Sequence, residues 1–289
     1  MEIFLKLIFF FIFNFLYFWS VAGYGKIITN KNSNYFETYL NGTILLLILS
    51  YTLYITAGTN LIINVIILFI GLILYFVNKK TFISITSKNN FFLLLSVFSI
   101  LIISKTHEDF GYHYFSISEV FNHNLRIGVA KLNFYFIHSS LLTHNQSMLI
   151  LPYFDFKLVH ITPFLIYFST LGYFITNLFS KKINKNEIFY SILCLFILLI
   201  KFNRLSEYGY DYISQFILLI VFHKIYFLNS ENSEVVKSIL YFTFTVLIKP
   251  ISLLFLPIML FIIYKKGLFF YRSVPQSRYF LIFSLLIIL

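Results

Sequence analysis

Three short segments hold the residues that could do chemistry. The first is HEDFGYHYF, residues 107–115, where Glu108 and Asp109 are adjacent and His113 follows Asp109 by four positions. Two neighbouring carboxylates suit either of two jobs. One can take a proton from an attacking hydroxyl as a general base, or the pair can hold a divalent metal such as Mg or Mn on a phosphate-bearing molecule. In a helix, His113 and Asp109 would share a face. The second is RLSEYGYDY, residues 204–212, with Glu207 and Asp211 four apart and Arg204 just ahead of them. A guanidinium there could pair with a carboxylate or a phosphate. The third is LIKPISLLFLP, residues 247–257, where Lys249 precedes Pro250 inside an otherwise apolar stretch. A lysine in such surroundings is costly unless it meets a partner or water. Each segment also has a plainer reading: interfacial tyrosine anchors, a capped helix start and a snorkelling lysine.

The elements that must position these groups are membrane spans. Residues 58–77 carry no charge across the whole run, and neither do residues 90–104. Hydrocarbon is crossed by roughly 17–25 apolar residues in a helix, because only a helix pairs all its own backbone groups in lipid. With 59% hydrophobic residues and 21% aromatics, a soluble architecture is excluded as the main one. The chain is expected to be an all-α, polytopic helical bundle. Spans are expected near 3–22, 39–57, 60–77, 90–104, 158–179, 187–201 and 211–229, followed by a broken stretch at 236–264. The whole of 1–289 is read as one transmembrane domain: N-terminal spans within 1–89, a long outer loop at 105–157, and the remaining spans in 158–289. The final apolar run, 279–289, is read as an incomplete span. The high aromatic content is expected to serve largely as lipid-facing surface.

Charge sets the expected orientation. Lys79, Lys80 and Lys88 share one loop, Lys181, Lys182 and Lys185 another, and Lys265, Lys266, Arg272 and Arg278 a third. Placing these loops on the cytoplasmic side, with Lys26 and Lys31, puts 105–157 and 202–210 outside. Glu108, Asp109, Glu119, Asp155, Glu207 and Asp211 then gather at the outer face, and six of the seven histidines fall within 107–160. The net charge of +11 therefore reads as cytoplasmic anchoring and contact with membrane lipids, not as nucleic-acid binding. As one helix, 236–264 would be about 43 Å long, more than the hydrocarbon core accepts without strong tilt. Pro250 disfavours helix at Lys249, so two half-helices are expected, entering and leaving on one side with Lys249 at the tip.

Other features carry less. Cys194 is the single cysteine, so no disulfide framework or thiolate metal site is available. His123, His138, His144 and His160 lack tight metal-ligand spacing. Asn145, Gln146 and Ser147 form a glycosylation sequon. Residues 112–121 could form an amphipathic helix on the outer surface.

Taken in order, the motifs resemble the GT-C superfamily of multi-span glycosyltransferases, and in particular a bacterial multi-span branch. The resemblance runs over residues 90–265. It is carried by Asp109 with Tyr112 and His113, by RIGVAKL (Arg126 to Leu132), by SEYGYD (206–211) and by Lys249 with Pro250. It implies transfer of a sugar from a polyprenyl-phosphate donor to an envelope glycan or lipid acceptor on the outer face of a bacterial inner (plasma) membrane. It further implies Asp109 as the base with Glu108 second, a metal at this pair if one takes part, and His113 and Tyr112 at the donor. Arg204 and Lys249 would meet phosphate, and Glu207 and Asp211 would order the pocket or hold the acceptor. Two departures stand out: about three spans precede the main loop where many members have one, and the last span is read as incomplete. The alternatives are a transporter or flippase of a lipid-linked glycan or anion, and a non-catalytic membrane subunit.

Overall fold

Helix boundaries follow caps and breakers more closely than they follow hydropathy. A computed structural model describes residues 2–29, 34–77, 110–123, 140–151, 157–179, 184–207, 210–227 and 232–265; for Tyr112 and Glu207 it describes the backbone only. The helices are α1 (Glu2–Ile28), α2 (Tyr35–Thr56), α3 (Leu61–Val77), α4 (Phe110–Asn122), α5 (Leu141–Ser147), α6 (Ile161–Leu178), α7 (Lys185–Lys201), α8 (Asp211–Phe227), α9 (Asn232–Ile248) and α10 (Leu256–Lys265). Short 3-10 turns precede α6 (Lys157–His160), follow α7 (Phe202–Glu207) and precede α10 (Pro250–Phe255). The class is all-α, with no strand among the described residues. Four stretches are long and apolar enough to cross a membrane: Ile8–Ile28, Tyr35–Thr56, Leu158–Leu178 and Lys185–Leu205. They mark a membrane protein. Leu61–Val77 and Pro250–Lys265 are shorter apolar helices. The expected span at 90–104 and the run at 279–289 lie outside the described residues, as do the lysines at 79–88 and 181–182.

The chain forms two compact units. The first comprises Met1–Phe168 and Asn203–Gly209; the second comprises Ser169–Phe202 and Tyr210–Leu289. The first is built on α1, α2 and α3. Asn34 caps α2 by accepting from Phe36 N at 3.1 Å, and Gly58, at φ 72°, turns the chain from α2 into α3. The α1–α2 contact is antiparallel and backbone-close. A Cβ on Gly42 would stand 1.9 Å from Val21 O, and one on Gly25 equally close to Thr38 O. Helices in lipid gain from such close approach because apolar side chains have no water to escape. At the α2–α3 turn, Thr59 Oγ1 donates to Val120 O (2.8 Å), tying down the end of α4. Helix α4 is amphipathic as expected: Ile117 and Val120 turn inward and Phe115 outward.

The second unit sets α8 and α9 as an antiparallel hairpin. Helix α7 begins at the Asn184 cap, whose side chain accepts from Asn186 N (2.7 Å) and Glu187 N (3.1 Å). It buries Ser191, Cys194 and Leu198 and exposes Phe189, Phe196 and Leu199, as a lipid-facing helix must. Helix α9 stops at Ile248. Lys249 is extended (φ −144°, ψ 108°), and Pro250 has no N–H to offer the Val246 carbonyl. The chain then folds back, because Phe255 meets Phe222, deep along α8, at a ring separation of 5.9 Å. The broken helix expected at 236–264 is therefore present. The expected role of the aromatics needs correction: Tyr17, Phe18, Tyr39, Phe174, Phe216, Tyr241 and Phe244 are among the largest fully buried side chains. Composition gives the number of rings and says nothing about which way they face.

Candidate functional site

At the break, two of the expected site residues meet. Lys249 Nζ lies 2.7 Å from Asp211 Oδ1. Asp211 opens α8, where a carboxylate is favoured by the positive end of the helix dipole. Its own carbonyl accepts from Ser214 Oγ at 2.8 Å. Lys249 is held by its backbone, its N–H donating to Thr245 O (2.9 Å) and its carbonyl accepting from Ser252 N (3.0 Å). The side chain is left to find its own partner. The pair is not deeply buried, with the lysine side chain 35% and the aspartate 65% exposed. Lys249 is thus a half-exposed cation at the end of a hairpin, and it has met a partner. Directly beyond it, Ile251, Leu253 and Leu254 present an exposed apolar surface. A cation beside an apolar strip suits an amphiphile with an anionic head.

The remaining expected residues fall elsewhere. His113 sits half-buried on α4, which begins one residue after Asp109. The Tyr112 backbone lies in the same helix. Arg204, exposed, and the Glu207 backbone lie in the 3-10 turn Phe202–Glu207, within the first unit. Glu108, Asp109 and the RIGVAKL segment lie outside the described residues. Among the described residues, no group of three or more His, Cys, Asp or Glu side chains could hold a metal ion.

Two polar clusters were not anticipated. In the first unit, α5 is buried along its whole length, although it reads LLTHNQS. Tyr17 Oη lies 2.8 Å from Thr162 Oγ1 and donates to Asn145 Oδ1 at 3.3 Å, and Thr162 also donates to that oxygen. Asn145 is 0% exposed, so the sequon is closed to a glycan in the folded chain. His144 is wedged against Tyr51 and Tyr54, with ring centroids 4.8 and 4.7 Å away. Burial pushes its imidazole down to about 4, so it is neutral at pH 7. His144 Nδ1, Asn145 Nδ2 and Gln146 Oε1 have no hydrogen-bond partner among the described residues.

In the second unit, Glu234 at the start of α9 accepts from Lys224 Nζ (2.7 Å) and from Lys237 Nζ. Burial raises the Glu234 carboxyl, but the two ammonium groups outweigh it and hold the group below its ordinary range. Nearby, His223 Nδ1 lies 2.8 Å from the Tyr173 hydroxyl. Its Nε2 is 3.2 Å from Glu187 Oε1, close enough for an ion pair but out of line for a hydrogen bond. Lys224 Nζ also stands 5.5 Å from the Tyr173 ring centroid. The α8–α9 hairpin thus carries opposite charges at both ends. Lys224, Glu234 and Lys237 could have been found as charges flanking a predicted turn. Tyr17 and Thr162 gave no such sign, lying 128 and 17 residues from Asn145. Comparison with known proteins finds no matching family model, curated protein or solved structure.

Proposed function

We propose that this chain is a membrane glycosyltransferase that moves a sugar from a polyprenyl-phosphate donor to an envelope glycan or lipid acceptor, working at the outer face of a bacterial inner membrane. The observation that carries the reading is Lys249, a cation at a helix break with an apolar surface beside it. A lipid-linked sugar brings its phosphate to headgroup depth and its isoprenoid chain into lipid, so the enzyme needs a cation and an apolar strip side by side. In the reaction, the bond from the anomeric carbon to the phosphate oxygen breaks, and a bond to the acceptor oxygen forms. The acceptor proton passes to the Asp109 carboxylate, with Glu108 as the second choice. The phosphate leaves with the bonding electron pair, and cations stabilise that growing charge more than they stabilise the ground state. Lys249 and Arg204 are the cations for this role. His113 and Tyr112 contact the donor, and Glu207 supports the acceptor.

The test is Asp109→Ala beside Lys249→Gln in the full chain. Binding of farnesyl phosphate should survive the first change and weaken with the second. Turnover of a lipid-linked sugar should fall with either. Unchanged turnover in Asp109→Ala would remove Asp109 as the base, and no turnover by the native chain would sink the enzymatic reading. The broken helix also favours a second reading, a transporter or flippase, because discontinuous helices commonly line substrate sites. In that case Lys249→Gln should abolish movement of the lipid-linked molecule between leaflets, with no bond broken.

A further inference from the structure

We infer that Asp211 is a resident counter-anion at Lys249, displaced when a lipid-borne phosphate arrives. The inference rests on the function proposed above and adds how that site is kept before its ligand binds. Lys249 and Asp211 come from different elements, the break after α9 and the first turn of α8, and they meet at 2.7 Å. Among the described residues each is the other's only ionic partner. The pair can open by side-chain rotation alone, because backbone hydrogen bonds from Thr245 and Ser252 hold Lys249 in place. The aspartate is the more exposed partner, so its side of the ammonium faces open surroundings.

A pair this exposed contributes little, since solvent screens it and two side chains lose freedom in making it. A phosphate monoester carries more negative charge than a carboxylate and a phosphodiester the same single charge, and either brings an attached apolar chain that Asp211 lacks. The strip of Ile251, Leu253 and Leu254 supplies a seat for an attached chain. The ligand class is therefore a phosphate on an apolar tail, whose source is an isoprenoid phosphate or a phospholipid headgroup. Asp211 shields the lysine until that ligand comes and lowers the site's affinity for small anions.

The experiment measures binding of farnesyl phosphate, farnesol and inorganic phosphate to the full chain in phosphatidylcholine nanodiscs, with and without added phosphatidylglycerol. Asp211→Asn should tighten farnesyl phosphate about fivefold, the whole value of a good exposed ion pair. Asp211→Glu should bind as the native chain does, and farnesol should be indifferent to both. Asp211→Ser serves as the second neutral variant if the amide does not fold. Competition by phosphatidylglycerol supports displacement with a headgroup as the source; persistence of farnesyl phosphate against it supports the isoprenoid source. Inorganic phosphate binding as tightly as farnesyl phosphate overturns the amphiphile assignment. If the neutral variants bind no tighter while Lys249→Gln still weakens binding, Asp211 is not a placeholder, although the phosphate site stands. If Lys249→Gln has no effect, both ideas fall.

Discussion

Glu234→Gln removes the carboxylate that two lysines share. Lys224 and Lys237 side chains are 1% and 5% exposed, so the change takes the shared carboxylate from two ammonium groups that water barely reaches. Breaking a buried ion pair by deleting one partner costs roughly 3–5 kcal/mol, because the other charge stays desolvated. Here the low end applies, since the Glu234 side chain is itself 21% exposed and water can enter on that side. The expected loss is therefore about 3 kcal/mol, equivalent to a fall in Tm of roughly 6–12 °C at this chain size. Thermal unfolding of purified protein in detergent, followed by the accessibility of buried Cys194, reads it directly. Glu234→Asp should recover part of the loss. Lys224→Met with Lys237→Met in the Glu234→Gln background should recover more, because apolar replacement of a whole buried charge cluster is often neutral. The pH dependence has a definite sign. The folded carboxyl lies below its ordinary value, so its stabilisation is present above about pH 4.5 and is lost as pH falls through the folded value. A Tm within 1 °C of native for Glu234→Gln would refute the claim that this cluster clamps the hairpin.

Other outcomes follow from the same geometry. His144 is depressed from 6.5 to about 4, so its neutral form stabilises the fold above pH 6.5, and about 3 kcal/mol should drain away as pH falls between those values. His144→Phe should flatten that part of the pH–stability curve, and an unchanged curve would exclude His144 as its cause. Gly42→Val should destabilise the chain by several kcal/mol or block folding, since its Cβ would strike the Val21 carbonyl; circular dichroism melts in detergent give the answer. Asn145→Ala should cost about 1–3 kcal/mol by stripping Tyr17 and Thr162 of their shared acceptor, measured against Asn145→Asp, which keeps one.

Much of the architecture could be read from the chain alone, for reasons that individual elements make clear. The stretch expected at 39–57 is α2, Tyr35–Thr56, and that at 211–229 is α8, Asp211–Phe227. Apolar run length signals such helices directly, although α8, at 17 residues, is not among the stretches long and apolar enough to cross a membrane. The helix starts ran earlier than hydropathy suggests, because Asn34 and Asn184 cap turns that contain Glu37, Lys185 and Glu187. Pro250 marked the break because a missing N–H is a local fact. Asp211 and Lys249 were each visible as candidates, but their pairing depends on two helices running side by side. Helix α5 was missed for a related reason. A run of Thr, His, Asn, Gln and Ser looks like a solvated loop unless the distant Tyr17 and Thr162 that donate to Asn145 are known. The inward rings were missed because Phe in an apolar helix serves lipid and protein neighbours equally well.

Neither α8 nor α9 is among the stretches long and apolar enough to cross a membrane by itself, and the two-ended charging of their hairpin bears on how the pair would enter a bilayer. A lone lysine at the middle of a helix in lipid costs about 3 kcal/mol on insertion scales. Here Asp211 accompanies Lys249, and Glu234 accompanies Lys224 and Lys237. Whichever end is carried across, cation and carboxylate travel together. Partitioning is then easiest for the two helices as one piece, with the second already seated on the first. Biogenesis of this part of the chain should accordingly wait until α9 has been synthesised, and a chain halted at residue 231 should leave α8 less stably inserted than the same helix followed by its partner.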